Sequence, residues 1–261
     1  MQIDLSNLNA LVCGGSKGIG KATAILLAAC GAEITVVARD IHTLESVITQ
    51  LPRPKNQHHQ FLVIDLNNIE DVKRKIHALA LTKTVDIIIN NTGGPPAGQA
   101  HLAQIEEYEM AFRQHLMANQ IIVQGLLEGM KSKKFGRIIN VISTSVKQPL
   151  ENLGVSNTIR GAVANWAKTL SNELGQYNIT VNNVLPGATE TERLQQIIAR
   201  EATAKSRTEE EIARHMKANI PLARFAKPEE IASAIAFLAS PLAGYITGIN
   251  LPVDGGRTKS L

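Results

Sequence analysis

Short apolar runs alternate with longer stretches of helical periodicity along the whole chain. The runs predict strands at 9–13, 33–38, 60–64, 85–90, 136–142, 179–185 and 248–253. Helical patterns lie between them, near 19–30, 41–51, 69–82, 102–131, 154–175 and 228–240. This alternation implies right-handed βαβ crossovers, and therefore an α/β fold with a parallel sheet covered by helices on both faces. No linker or repeat divides the chain, so a single domain over 1–261 is expected. The polar stretch 192–219, with Glu201, Lys205, Arg207 and Glu209 to Glu211, is the least core-like segment. It reads either as a mobile helical flap over a site, at about 190–220, or as a solvated excursion. Its place before the last helix and strand favours the flap.

Composition narrows the class. At 261 residues and 44% hydrophobic content, the chain has length for one large α/β domain with a substantial core. No apolar run is long enough to span a bilayer, and Met1-Gln2-Ile3-Asp4 does not open a secretory leader. Cys13 and Cys30 form neither a disulfide framework nor a metal pattern, so a cytoplasmic, reducing setting is expected and no metal is. The formal charge of +4 is compatible with phosphorylated ligands or with ordinary solvated surface. Lys131, Lys133, Lys134 and Arg137 cluster before the fifth strand, either as a solvated turn or as a face for an acidic acyl carrier. No aromatic–basic nucleic-acid platform and no zinc-ligand spacing is present.

The most telling stretch is Cys13-Gly14-Gly15-Ser16-Lys17-Gly18-Ile19-Gly20, which leaves the apolar run Ala10-Leu11-Val12 and opens a helix. A strand entering a helix through such a turn suits a pyrophosphate. Gly14 permits the tight turn, Gly18 lets the backbone approach phosphate, and Gly20 allows close helix–sheet packing. The helix N-terminus then offers free N–H groups and the positive end of its dipole. Alone, the segment is also compatible with an ordinary glycine-rich turn.

Four further segments follow in order: Asn90-Asn91-Thr92-Gly93, Gly136 to Ser143, Pro186-Gly187, and Tyr245-Ile246-Thr247-Gly248 with Val253-Asp254-Gly255-Gly256. Together with the glycine turn they resemble the short-chain dehydrogenase/reductase family across nearly the whole chain. That resemblance implies a Rossmann-type doubly wound sheet of seven parallel strands and a nicotinamide cofactor. It also implies a homodimer or homotetramer, and a small-molecule carbonyl or alcohol substrate, with the 3-oxoacyl-carrier-protein reductases as the nearest branch. Neither a nucleic acid nor a membrane partner is implied. Arg39, just after the second strand, occupies the position where an acidic residue binds the ribose hydroxyl of NAD and an arginine suits the 2′-phosphate of NADP(H). Lys17 adds a second cation nearby, and Asp40 is a mild objection; two plain surface cations are the other reading. Ser16 and Ile19 complete the phosphate turn. Asp65, with Leu66, stands either beside the adenine or at a helix N-cap. Asn91 and Gly93 are placed along the adenosine ribose. Pro186, Gly187, Thr189 and Thr191 are placed along the nicotinamide.

The resemblance fails at the catalytic positions. The family carries serine, then tyrosine in Y-x-x-x-K, and an upstream asparagine. Ser143 stands in the serine position, but thirteen residues on is Ser156, and four further is Arg160. His115 stands where the asparagine belongs. A serine hydroxyl is far less acidic than a phenol, and arginine stays protonated, able to bind ribose hydroxyls or an anion but not to relay protons. His115 is either a substitute proton donor or a satisfied helix histidine. Two functions follow: an oxidoreductase with an atypical centre, or a catalytically impaired nucleotide-binding regulatory or scaffold protein.

Overall fold

In the computed structural model, which describes residues 3–260, the seven predicted strands form one parallel sheet. They are β1 Asn9–Cys13, β2 Glu33–Ala38, β3 Gln60–Val63, β4 Ile87–Asn90, β5 Gly136–Val141, β6 Ile179–Pro186 and β7 Asn250–Val253. Their order is β3-β2-β1-β4-β5-β6-β7. The helices are α1 Gly18–Ala29, α2 Ile41–Gln50, α3 Ile69–Thr82, α4 Ile105–Phe112, α5 Ala118–Lys133, α6 Gly154–Leu174, α7 Glu192–Lys205, α8 Glu209–Ala218 and α9 Pro228–Ala239.

The central strands β1, β2, β4, β5 and β6 are buried on both sides because their side chains alternate between two helical layers, whereas the edge strands β3 and β7 are only partly buried. Ile87 and Ile89 pack with apolar residues of α1, α2 and α9, whereas Ile88 packs with those of α3, α5 and α6. Strand order reverses between β1 and β4, which opens a crevice at the C-terminal ends of the strands.

One row across the sheet is polar. Asn90, Asn140, Asn183 and Asn250 lie in register on β4 to β7. The Nδ2 of each donates to the Oδ1 of the next at 2.8 Å. The row thus supplies most of the partners that buried amides need. At its β4 end, Asn90 Oδ1 is buried with no protein partner.

Three expectations change. The helix predicted over 102–131 is interrupted by a π-helical turn, Arg113–Met117, between α4 and α5. The segment 192–219, read from the sequence as a helical flap or a solvated excursion, is helical and not wholly solvated: α7 and α8 gather Leu194, Ile198, Ala202 and Ile212 with Ile220 and Phe225 into an apolar cluster of their own. The basic cluster before β5 largely dissolves into the fold. Lys133 pairs with buried Asp86 at 2.7 Å, and Lys131 pairs with Glu128. Arg137 is buried, stacked on Phe135 and donating to the Ser240 carbonyl.

Candidate active site

A cleft of about 900 Å³ opens where the strand order reverses. Its lining takes in Gly14, Ser16, Lys17, Gly18, Ile19, Arg39, Asp65, Leu66, Asn91, Gly93, Arg160, Pro186, Gly187, Thr189 and Thr191. Every residue placed on the cofactor from sequence is there except Gly20, which lies beneath it.

The glycines are sterically required. Gly14 and Gly18 adopt φ of +58° and +51°, in the left-handed region where side chains are strained. A Cβ on Gly14 would fall 2.5 Å from the Asn91 carbonyl oxygen, and one on Gly20 would fall 2.1 Å from that of Gly14. Asn91 Nδ2 ties the turn down, donating to the carbonyls of Cys13 and Gly14. No side chain caps α1, and its first turn carries no acidic residue. Its N–H groups and dipole are therefore left for an anion, so the donor set fits a dinucleotide pyrophosphate.

Arg39 is exposed at the end of β2 with no acidic partner among the described residues. The carboxylate of the adjacent Asp40 is engaged as the cap of α2, accepting from the Thr43 N–H at 2.7 Å. Lys17 differs from expectation: its ammonium pairs with Glu192 of α7 at 2.8 Å, so its charge is shared across the cleft. Asp65 is not a helix cap. It accepts from the Asn67 N–H in a local turn, while Asn68 caps α3. Thr191 caps α7, its oxygen accepting from the Leu194 N–H while its hydroxyl donates to Thr189.

Of the residues in the family's catalytic positions, only Arg160 lines the cleft. It is buried; Nε donates to Ser156 Oγ at 3.3 Å and Nη1 to the Val141 carbonyl at 3.2 Å. Burial, with the nearby charge of Arg193 added, pulls its pKa down to about 10, so it remains a cation at neutral pH. Ser156 is buried beneath it. Ser143 is half-buried, and its oxygen accepts from the Ser145 N–H at 3.1 Å, leaving its own proton free to donate.

His115 sits on the π-helical turn, 2.6 Å from Thr92 Oγ through Nδ1, with Nε2 buried and unpartnered. Burial, reinforced by the Arg160 charge, drives its pKa to about 3 against an opposing backbone contact with Gly93. It is therefore neutral at physiological pH. Neutral and desolvated, it is poorly suited to the role of substitute proton donor.

Sequence reading missed Arg193. It follows the Thr191 cap in the first turn of α7, lines the cleft, and donates through Nη2 to the Pro95 carbonyl at 3.0 Å. Nothing in its polar surroundings distinguished it from a solvated charge. Among the described residues no group of three metal-ligating side chains occurs, and no helix is long and apolar enough to cross a membrane.

Fold and site together define a short-chain dehydrogenase/reductase, and the chain belongs to that family. Residues 14–258 match the family profile described as enoyl-(acyl carrier protein) reductase. The chain is 32% identical to the NADPH-dependent reductase BacG of Bacillus subtilis, over 98% of this chain and 100% of that one. It is 33% identical to the 3-oxoacyl-[acyl-carrier-protein] reductase FabG of Vibrio cholerae, over 97% and 98%. The L-sorbose reductase of Gluconobacter frateurii, solved with NADPH and L-sorbose, superposes with a TM-score of 0.93 at 28% identity and full coverage of both chains.

Proposed function

We propose that this protein is an NADP(H)-dependent oxidoreductase acting on a small carbonyl or alcohol substrate, with an atypical catalytic centre. The observation that carries the reading is the uncapped N-terminus of α1 behind its strained glycines, facing a cleft whose rim holds Arg39, which has no ion-pair partner among the described residues. BacG, an NADPH-dependent reductase, and the sorbose reductase solved with NADPH support the cofactor assignment. The similarity to FabG supports a 3-oxoacyl-like substrate as the first class to try.

In this reading the turn Gly14 to Gly20 cradles the pyrophosphate and Arg39 meets the 2′-phosphate. Asp65 and Leu66 flank the adenine, and Pro186 to Thr191 flank the nicotinamide. Bound there, NADPH supplies the hydride. Arg160 holds the nicotinamide ribose as a permanent hydrogen-bond donor. Ser143 directs its hydroxyl proton to a substrate oxygen. Neither Ser156 nor neutral His115 replaces the phenol as an acid, so slow turnover of simple ketones is expected. Segment 190–220, built from α7 and α8, serves as the flap. Exposed apolar Ile105, Met110 and Phe112 on α4 support assembly as a homodimer or homotetramer.

The burial of Ser156 away from the cleft favours a second reading, a nucleotide-binding regulatory protein without turnover. Calorimetric titration with NADPH and NADH, paired with an NADPH-oxidation screen over β-keto esters, quinones and sugars, separates the two. NADPH binding with turnover supports the oxidoreductase. NADPH binding with none supports the regulatory protein, and absence of binding overturns both.

A further inference from the structure

Two guanidinium groups converge on one short loop of the cleft wall. Arg160 comes from α6 and Arg193 from α7, and both line the cleft. Arg193 Nη2 donates to the Pro95 carbonyl at 3.0 Å, while a Cβ on neighbouring Gly94 would lie 3.4 Å from Arg160 Nη2. The space beside them is open, since a Cβ on Gly93 would meet nothing within 4 Å. No carboxylate lies within 4 Å of either arginine among the described residues; Glu192, next to Arg193, is taken by Lys17. Two like charges, one of them buried, are costly to hold together without a counter-ion. The other charged elements of the cleft already face the cofactor in the reading above: the α1 terminus its pyrophosphate, and Arg39 its 2′-phosphate.

We infer that Arg193, beside the positive charge of Arg160 that holds the nicotinamide ribose in the reading above, forms an anion subsite, and that the substrate carries a carboxylate which Arg193 selects. The inference rests on the oxidoreductase reading. Planar guanidinium forks match carboxylate oxygens, and charge-assisted hydrogen bonds in a partly buried cleft discriminate strongly against a neutral isostere. The mutual repulsion that helps hold Arg160 below its ordinary pKa is relieved when an anion sits between the two. Arg193 is thus a specificity-determining residue. It stands on α7, so carboxylate binding also fixes that helix against the Gly93–Pro95 loop.

The test uses protein saturated with NADP⁺ and titrated with pyruvate, pyruvamide or inorganic phosphate, followed by saturation-transfer NMR. Pyruvate should bind at least tenfold more tightly than pyruvamide. Arg193→Gln should abolish that gap, Arg193→Lys should keep part of it, and NADP⁺ affinity should stay unchanged in both. Equal binding of acid and amide, or no binding of pyruvate, overturns the inference while leaving the cofactor assignment intact. If Arg193→Gln instead weakens NADP⁺, the cofactor's own phosphates are the anion and the inference fails. Tighter binding of phosphate than of pyruvate overturns the carboxylate class. Should Arg193→Gln not fold, the acid–amide comparison in the unaltered protein still decides. Failure of NADP⁺ to bind removes the parent reading and this inference with it.

Discussion

Arg39 and His115 illustrate how placement sets the use of a charge. Arg39 projects from the end of β2 with no ion-pair partner among the described residues, while the adjacent Asp40 carboxylate caps α2. One charge-assisted contact to a 2′-phosphate contributes roughly 1.5–3 kcal/mol, enough for at least about a tenfold preference. NADPH should therefore bind far more tightly than NADH, and Arg39→Ala should erase most of the gap in calorimetric titration. His115 is the opposite case, a titratable group stripped of its proton by burial. In the unfolded chain it protonates near 6.5, in the folded chain only near 3. Between those values the unfolded state holds the extra proton, so stability falls as pH is lowered through the window. The slope is about 1.4 kcal/mol per pH unit for a full proton. Urea unfolding of His115→Asn at pH 7 and pH 4.5 should show a shallower acid loss than the unaltered protein. An identical loss would place the responsible proton elsewhere.

At the scale of elements, the β1–α1 junction and α6 carry the strongest expectations. Helix α1 approaches its own turn so closely that Gly20→Ala forces a methyl into the Gly14 carbonyl. Such overpacking costs typically 1–3 kcal/mol, and thermal melting should record the loss together with weakened NADPH binding. On α6, Ser156→Tyr with Arg160→Lys restores the acid and the cation that supports it. Turnover of a ketone should rise by an amount approaching about 10²–10⁴, the usual contribution of a general acid. Vigorous turnover by the unaltered protein, reduced by the double change, would mean that another group delivers the proton. These two elements were legible in the sequence: glycines at left-handed backbone positions mark the turn, and the spacing from Ser143 to Ser156 and Arg160 sets the register of α6. The break in 102–131 was not. A π-helical turn inserts one residue without glycine or proline, and it leaves the run helical throughout. The start of α8 was available in Thr208 and Glu211, whose reciprocal capping bonds are a sequence-level signal. The Arg160–Arg193 pairing was not, since it arises only when α7 folds back over the cleft.

For the whole molecule, the asparagine row matters most. Each amide of Asn90, Asn140 and Asn183 donates to its neighbour in one direction, so none can rotate without breaking its bond to the next. The four side chains form a single polarised relay across three strand spacings, about 14 Å. Hydrogen-bonded chains of this kind strengthen one another by about 10–30% per bond, so a change at one end is expected to reach the other. Asn250→Ala, on the edge strand, should then shift the side-chain amide resonances of Asn90 as well as those of Asn183. Movement confined to Asn183 would mean that the amides act singly. Asn90 precedes Asn91, whose own amide pins the glycine turn at the mouth of the cleft. The outermost strand of the sheet is in this way linked to the backbone of the glycine turn, where the proposed function places the pyrophosphate, so Asn250→Ala is also expected to change NADPH affinity in calorimetric titration.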